Sequence, residues 1–149
     1  MDILAEGVRS GLIHPDGFVP EGRLQISENV MLLADDVREF QLAKAATRTA
    51  VELLIERAGE RPREIHLAGN FAQHLNLDSV KIIGLLPPEI PCKTVGNSSL
   101  EGCLLWSSMS TAERESFWTR LSAGARPVEL ALQDDFQERF VANLDFPKP

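Results

Sequence analysis

Hydrophobic positions recur at three- and four-residue steps along one long stretch of the chain. Val37, Phe40, Ala43, Thr47, Ala50, Leu54 and Ala58 fall on a single face, so the spacing predicts a helix over 36–58. Alanine is frequent on that face, which suits close approach to a neighbouring element. Asp36 and Glu39 have capping-box spacing at its start, with Asp in place of the usual Ser or Thr. Gly59 and Pro62 close it, since glycine suits the left-handed residue after a helix and proline bars continuation.

The remaining pattern is shorter and alternates. Asp2 to Ser10 reads as a helix. His14-Pro15-Asp16-Gly17 and Pro20-Glu21-Gly22 are turn signals that make 14–22 a surface excursion. Leu24, Ile26 and Val30 to Leu33 read as short extended segments. Glu64 to Ala68 is a strand that runs into Gly69-Asn70, and Phe71 to Leu75 is one helical turn. Asp78 or Ser79 caps Val80 to Leu85, which Pro87-Pro88 stops. Cys92 to Val95 is a strand ending in Gly96-Asn97-Ser98-Ser99, and Leu100 to Met109 is an apolar helix. Ser110 and Glu113 form a capping box for a helix ending near Gly124. Pro127 to Ala131 reads as a last strand, and Asp134-Asp135 caps a final helix through about Asn143. Alternating strands and helices predict an α/β domain with parallel neighbours.

Composition narrows the function classes. At 149 residues the chain predicts a single domain over 1–149, large enough to hold a core without disulfide or metal. Its net charge of −7 argues against a broad phosphate-binding surface, hence no nucleic-acid partner. No apolar run approaches the roughly 18 residues of a membrane span, and Met1 to Glu6 lack the basic flank and apolar core of a signal peptide. The expected setting is cytoplasmic. Cys92 and Cys103, eleven residues apart with no CxxC pair, cannot supply the four thiolates of an iron–sulfur cluster.

Two strand–glycine–helix junctions carry the candidate chemistry: Leu67-Ala68-Gly69-Asn70-Phe71-Ala72 and Val95-Gly96-Asn97-Ser98-Ser99-Leu100-Glu101-Gly102. Open α/β sheets bind ligands beyond the carboxyl ends of their strands, where glycine turns let backbone approach the ligand. Helix N-termini offer N–H groups to anions there, and Asn70 and Asn97 tolerate a left-handed backbone. The plain alternative is a pair of ordinary tight turns. His74 and Asp78 alone do not make a metal site, and no GxxxxGK[ST], GxSxG or HExxH motif occurs. Trp106, Phe117 and Trp118 read as core or interface, and Lys44 by default as a solvent-exposed charge.

Four segments follow one another in a familiar order: Asp36 to Ala46, Leu67 to Phe71, Ile83 to Pro87, and Val95 to Gly102. Together with Val128-Glu129-Leu130, Asp135-Phe136 and Phe146, that succession resembles the C-terminal part of the reductive activators of corrinoid proteins. The resemblance implies half of an ATPase domain with the actin-like, sugar-kinase-like fold, a ribonuclease-H-like subdomain whose sheet is flanked by helices. Members of the family use ATP to drive an electron onto the cobalt of an inactivated corrinoid protein, such as those of cobalamin-dependent methyltransferases. By resemblance, Gly69, Asn70 and Phe71 match the adenosine-side turn, and Gln41 and Lys44 on the preceding helix are further nucleotide candidates. Gly96, Asn97, Ser98 and Gly102 match the connecting helix at the subdomain junction.

Three departures qualify what the resemblance implies. The family favours Gly-Gly-Phe-Gly where this chain has Gly69-Asn70-Phe71-Ala72, and Ala72 is expected to bring a methyl close to the nucleotide. No DxGT-like strand–turn occurs, so the phosphate- and Mg²⁺-binding half of the ATPase domain is expected upstream, as is the ferredoxin domain. The cysteines of that domain's 2Fe–2S cluster have no counterpart here. The expectation is therefore a subdomain inactive alone, partnered by the missing N-terminal half and a corrinoid protein, binding ATP–Mg²⁺ weakly or only with that half. Dimerisation through an exposed docking patch is expected of an isolated fragment. The alternative is a stand-alone interaction module that keeps the fold without nucleotide binding.

Overall fold

The computed structural model describes residues 1–148. Helix α1 (Asp2–Arg9) leads into a turn closed by the Gly17 N–H on the His14 carbonyl at 2.8 Å. An antiparallel hairpin follows, β1 (Arg23–Ser27) and β2 (Val30–Leu33), with a bulge between Gln25 and Ser27. The long helix α2 (Ala34–Ala58) begins two residues before the expected start. Asp36 is therefore in its first turn, and its carboxylate accepts the Leu33 N–H at 2.9 Å.

Helix α2 also buries a different stripe from the one its alanines suggested. Val37, Gln41, Lys44, Ala45, Thr49 and Leu53 face inward, while Ala43, Thr47 and Leu54 face solvent. Tertiary partners settle this, because three of the inward residues are polar and two of them meet hydrogen-bond partners from the end of the chain. Periodicity of apolar residues could not register them.

After α2 come β3 (Ile65–Leu67), the single turn α3 (Asn70–Gln73), α4 (Leu77–Ile82) and β4 (Cys92–Thr94). Strands β3 and β4 pair in parallel, with Ile65 opposite Cys92 and Leu67 opposite Thr94. Asn76, rather than Asp78 or Ser79, caps α4, and its side-chain oxygen accepts the Asp78 N–H at 2.9 Å. Helices α5 (Ser98–Ser108) and α6 (Thr111–Gly124) form a hairpin, and α6 has the expected Ser110–Glu113 capping box. The strand expected at 127–131 does not form. That stretch ends in a 3₁₀ turn at Leu130–Leu132 and pairs with none of the strands among the described residues. Helix α7 (Phe136–Ala142) and a short extended tail complete the described chain.

The main core gathers Leu4, Ala5 and Val8 of α1 with Ile13, Val19, Val37, Ile83 and the distant Phe146. No residue of α5 or α6 is buried. Among the described residues, no helix is long and apolar enough to cross a membrane.

Candidate functional site

The parallel pairing of β3 and β4 places the two glycine junctions side by side at the carboxyl ends of their strands. The Val95 N–H donates to the Leu67 carbonyl at 3.0 Å, and the Gly69 N–H donates to the Gly96 carbonyl at 2.9 Å. Two segments far apart in sequence thus become one hydrogen-bonded ledge. Both glycines have positive φ, 101° at Gly69 and 77° at Gly96. Gly69, with ψ 164°, occupies a region essentially closed to residues with a Cβ. Asn70 and Asn97 do not take the left-handed conformation that they tolerate. Asn70 starts α3, and Asn97 caps α5 by accepting the Leu100 N–H at 3.1 Å.

Beside this ledge lies an open groove of about 600 Å³, walled by Asp2, Phe40, Asn70, Phe71, His74 and Asn76 among others. Phe71 is 71% exposed on the groove wall, so its ring is accessible for stacking. Ala72 is buried and takes no part in the groove wall, so its methyl does not crowd a ligand there. Sequence reasoning found Asn70 and Phe71 but missed Phe40, His74 and the N-terminal Asp2. Only the packing of α1 and α2 around the turn brings those three together.

Gln41 and Lys44 lie elsewhere. Gln41 is 2% exposed and rests on the Gly17 backbone, so closely that a Cβ at Gly17 would overlap its amide. Its amide nitrogen has no hydrogen-bond partner among the described residues. Lys44, read as solvent-exposed by default, is equally buried. Its ammonium donates to the carbonyls of Asn143 at 2.8 Å and Asp145 at 2.6 Å, and sits 5.3 Å from the centre of the Phe146 ring. Burial pushes the Lys44 pKa down to about 8, an effect that Arg48 reinforces and Asp145 partly opposes. Neither side chain lines the groove.

The junction helix is equally informative. Gly102 has no atom within 4 Å of where its Cβ would stand, so the close packing expected of Gly96, Asn97, Ser98 and Gly102 has no partner at Gly102 among the described residues. On the same hairpin, Leu104, Leu105, Trp118 and Leu121 are each more than half exposed. Trp106 and Phe117 meet edge to face at 6.0 Å, which joins the two helices without burying either ring. The expectation of a core role for these aromatics fails within this chain, and the interface role stays open.

Comparison with known proteins fits this geometry. The corrinoid activation enzyme RamQ of Eubacterium limosum is 30% identical over 132 residues, which cover 85% of this chain and 21% of RamQ. A solved structure of a reductive activator for corrinoid, iron–sulfur protein superposes with a TM-score of 0.77 at 22% identity, covering 99% of this chain and 27% of that one. The chain thus spans between a fifth and a third of the length of these relatives. The fold is accordingly the α/β, ribonuclease-H-like subdomain of actin-like ATPases, with helices flanking small sheets. Over residues 2–149 the chain matches the C-terminal domain of RACo, the ASKHA domain, and it belongs to that family.

Proposed function

We propose that this chain is the adenosine-side subdomain of an ATP-dependent reductive activator of a corrinoid protein, acting in the cytoplasm. The observation that carries this reading is the Gly69 turn. It is locked to the Gly96 turn at the carboxyl ends of two parallel strands and opens onto a groove with an exposed Phe71. Membership of the family and the names of its relatives support the reaction class.

Adenosine chemistry suits the groove. The faces of Phe71 and Phe40 offer stacking for a purine, Asn70 offers polar groups to a ribose, and Gly69 lets the backbone come close. Phosphate and Mg²⁺ suit it less well. No Lys or Arg lines the groove, and among the described residues no three His, Cys, Asp or Glu side chains are grouped to hold a metal. Bound ATP would supply the free energy for moving an electron onto cobalt. Stabilising the transferred phosphoryl needs fixed charges and donors, which in this reading come from a separate N-terminal half. The 2Fe–2S cluster belongs to that half too, since two cysteines do not make its four thiolates. The subdomain is therefore inactive alone, and the apolar hairpin α5–α6 is where the missing half seats. Without that cover, the same face drives homodimerisation.

Calorimetric titration of ADP and ATP–Mg²⁺ tests the site, with Gly69→Val as control. Millimolar binding that disappears in the variant is the expected result, and unchanged binding in the variant would remove the site from the Gly69 turn. A second reading, an interaction module without nucleotide binding, is favoured by the exposed apolar face of α5–α6. It predicts no titration signal, together with binding to a corrinoid protein that Trp118→Gln weakens.

A further inference from the structure

Near the end of the chain, residues 143–147 are tied to α2, to Pro15 and to Gly84. Asn143 donates its side-chain amide to Thr49 at 3.1 Å and to Glu52 at 3.0 Å. The carbonyls of Asn143 and Asp145 take the Lys44 ammonium. The Phe146 N–H donates to the Pro15 carbonyl at 2.7 Å, and its ring is 2% exposed in the core. Pro147 lies against Gly84 so closely that a Cβ there would meet its ring at 2.8 Å. The Phe146 ring stacks on Phe40, centroids 6.5 Å apart and planes 20° from parallel. Phe40 is also a wall of the groove.

We propose that residues 143–147 are a strap that sets the position of the Phe40 wall of the groove, and that Lys44 is the positioning residue holding the strap in place. Lys44 and Phe40 stand one helical turn apart on α2, so the same face grips the strap and presents the wall. Lys44 is 2% exposed, so its ammonium needs acceptors inside the protein, and the Asn143 and Asp145 carbonyls supply them. Without the ammonium those carbonyls lose their tie to α2 and the strap lifts, leaving Phe40 without its stacking partner. This gives Lys44 a part in ligand binding without contact with ligand. That consequence for nucleotide rests on the adenosine reading above, whereas the mechanical link between strap and groove does not.

The chain's three histidines allow a test that needs no ligand. His74 lines the groove beside Phe40, His14 precedes the strap's anchor at Pro15, and His66 lies on β3 paired with Glu64, outside the groove. Proton NMR of the imidazoles is read alongside amide exchange in Lys44→Met, which keeps the stem and removes the donors. The expected result is at least about tenfold faster exchange of the Phe146 amide, with shifted His74 and His14 resonances and an unmoved His66. An equally protected Phe146 amide would overturn the role of Lys44. A freed Phe146 amide with His74 unmoved would overturn the link to the groove. Should Lys44→Met fail to fold, Asn143→Ala cuts the strap's other tie and must produce the same pattern. ADP titration of the variant is expected to show several-fold weaker binding. If the unaltered protein binds no ADP while His74 still responds to the strap, the adenosine reading fails and the strap stands.

Discussion

Replacing Gly69 by Ala isolates the backbone strain on which the candidate site depends. At φ 101° and ψ 164° the residue sits where side chains are essentially excluded, yet no atom lies within 4 Å of the added methyl. The penalty is thus conformational and not steric. Strain in such a region costs about 1–3 kcal/mol, and the stiffer unfolded chain returns about 0.4–1 kcal/mol. The midpoints of these two ranges leave a net loss of about 1.3 kcal/mol. For a domain of this size each kcal/mol moves the midpoint by about 2–4 °C, so Tm should fall by roughly 3–5 °C. Gly102→Ala is the internal control. It also meets no atom within 4 Å, but its backbone is helical within α5. There the same methyl should favour the helix by about 0.5–1 kcal/mol. Thermal and urea unfolding followed by circular dichroism compare the two. If Gly69→Ala melts at or above the unaltered protein, the turn is relaxed in solution and the strained ledge is not a feature of the molecule.

Other outcomes follow from the packing. The Lys44 pKa is lowered to about 8 from 10.5, so between those values the unfolded chain holds a proton that the folded one does not. Stability should therefore rise with pH across that window and be lost as pH falls through 8, with a slope of at most about 1.4 kcal/mol per pH unit. Urea unfolding from neutral to alkaline pH should show the rise and Lys44→Met should remove it, leaving the opposite, falling contribution of Cys92, whose thiol burial pushes up. Phe146→Ala empties a buried site between Phe40 and the core and should cost about 3–5 kcal/mol in urea unfolding. Trp118→Gln, on the exposed α6, should leave monomer stability within about 0.5 kcal/mol. It should reduce self-association measured by sedimentation, and unchanged association would move the contact off that face.

Local chemistry was legible in the sequence. Helix α2, its glycine end, the Ser110 capping box and both glycine turns depend on residues within a few positions of one another, so spacing alone reveals them. Parallel pairing of β3 and β4 followed from the helices between them. What spacing could not show was any decision made by a distant partner. Asn97 and Asn70 stay out of the left-handed region, and the glycines before them, Gly96 and Gly69, carry the positive φ instead. Lys44 looked like a surface charge until carbonyls about a hundred residues away supplied its hydrogen bonds. The segment at 127–131 has strand-like composition, yet a strand forms only by pairing with another, and this segment pairs with none among the described residues. The groove arises in the same way, since Asp2, Phe40 and Phe71 become neighbours only when α1, α2 and the Gly69 turn pack together. Sequence by itself determined the turns, the Ser110 cap and the family likeness, all of them written in short-range spacing. The tertiary structure alone decided which polar side chains are buried and which residues share a wall, because burial is a property of what a residue meets and not of its neighbours in the chain.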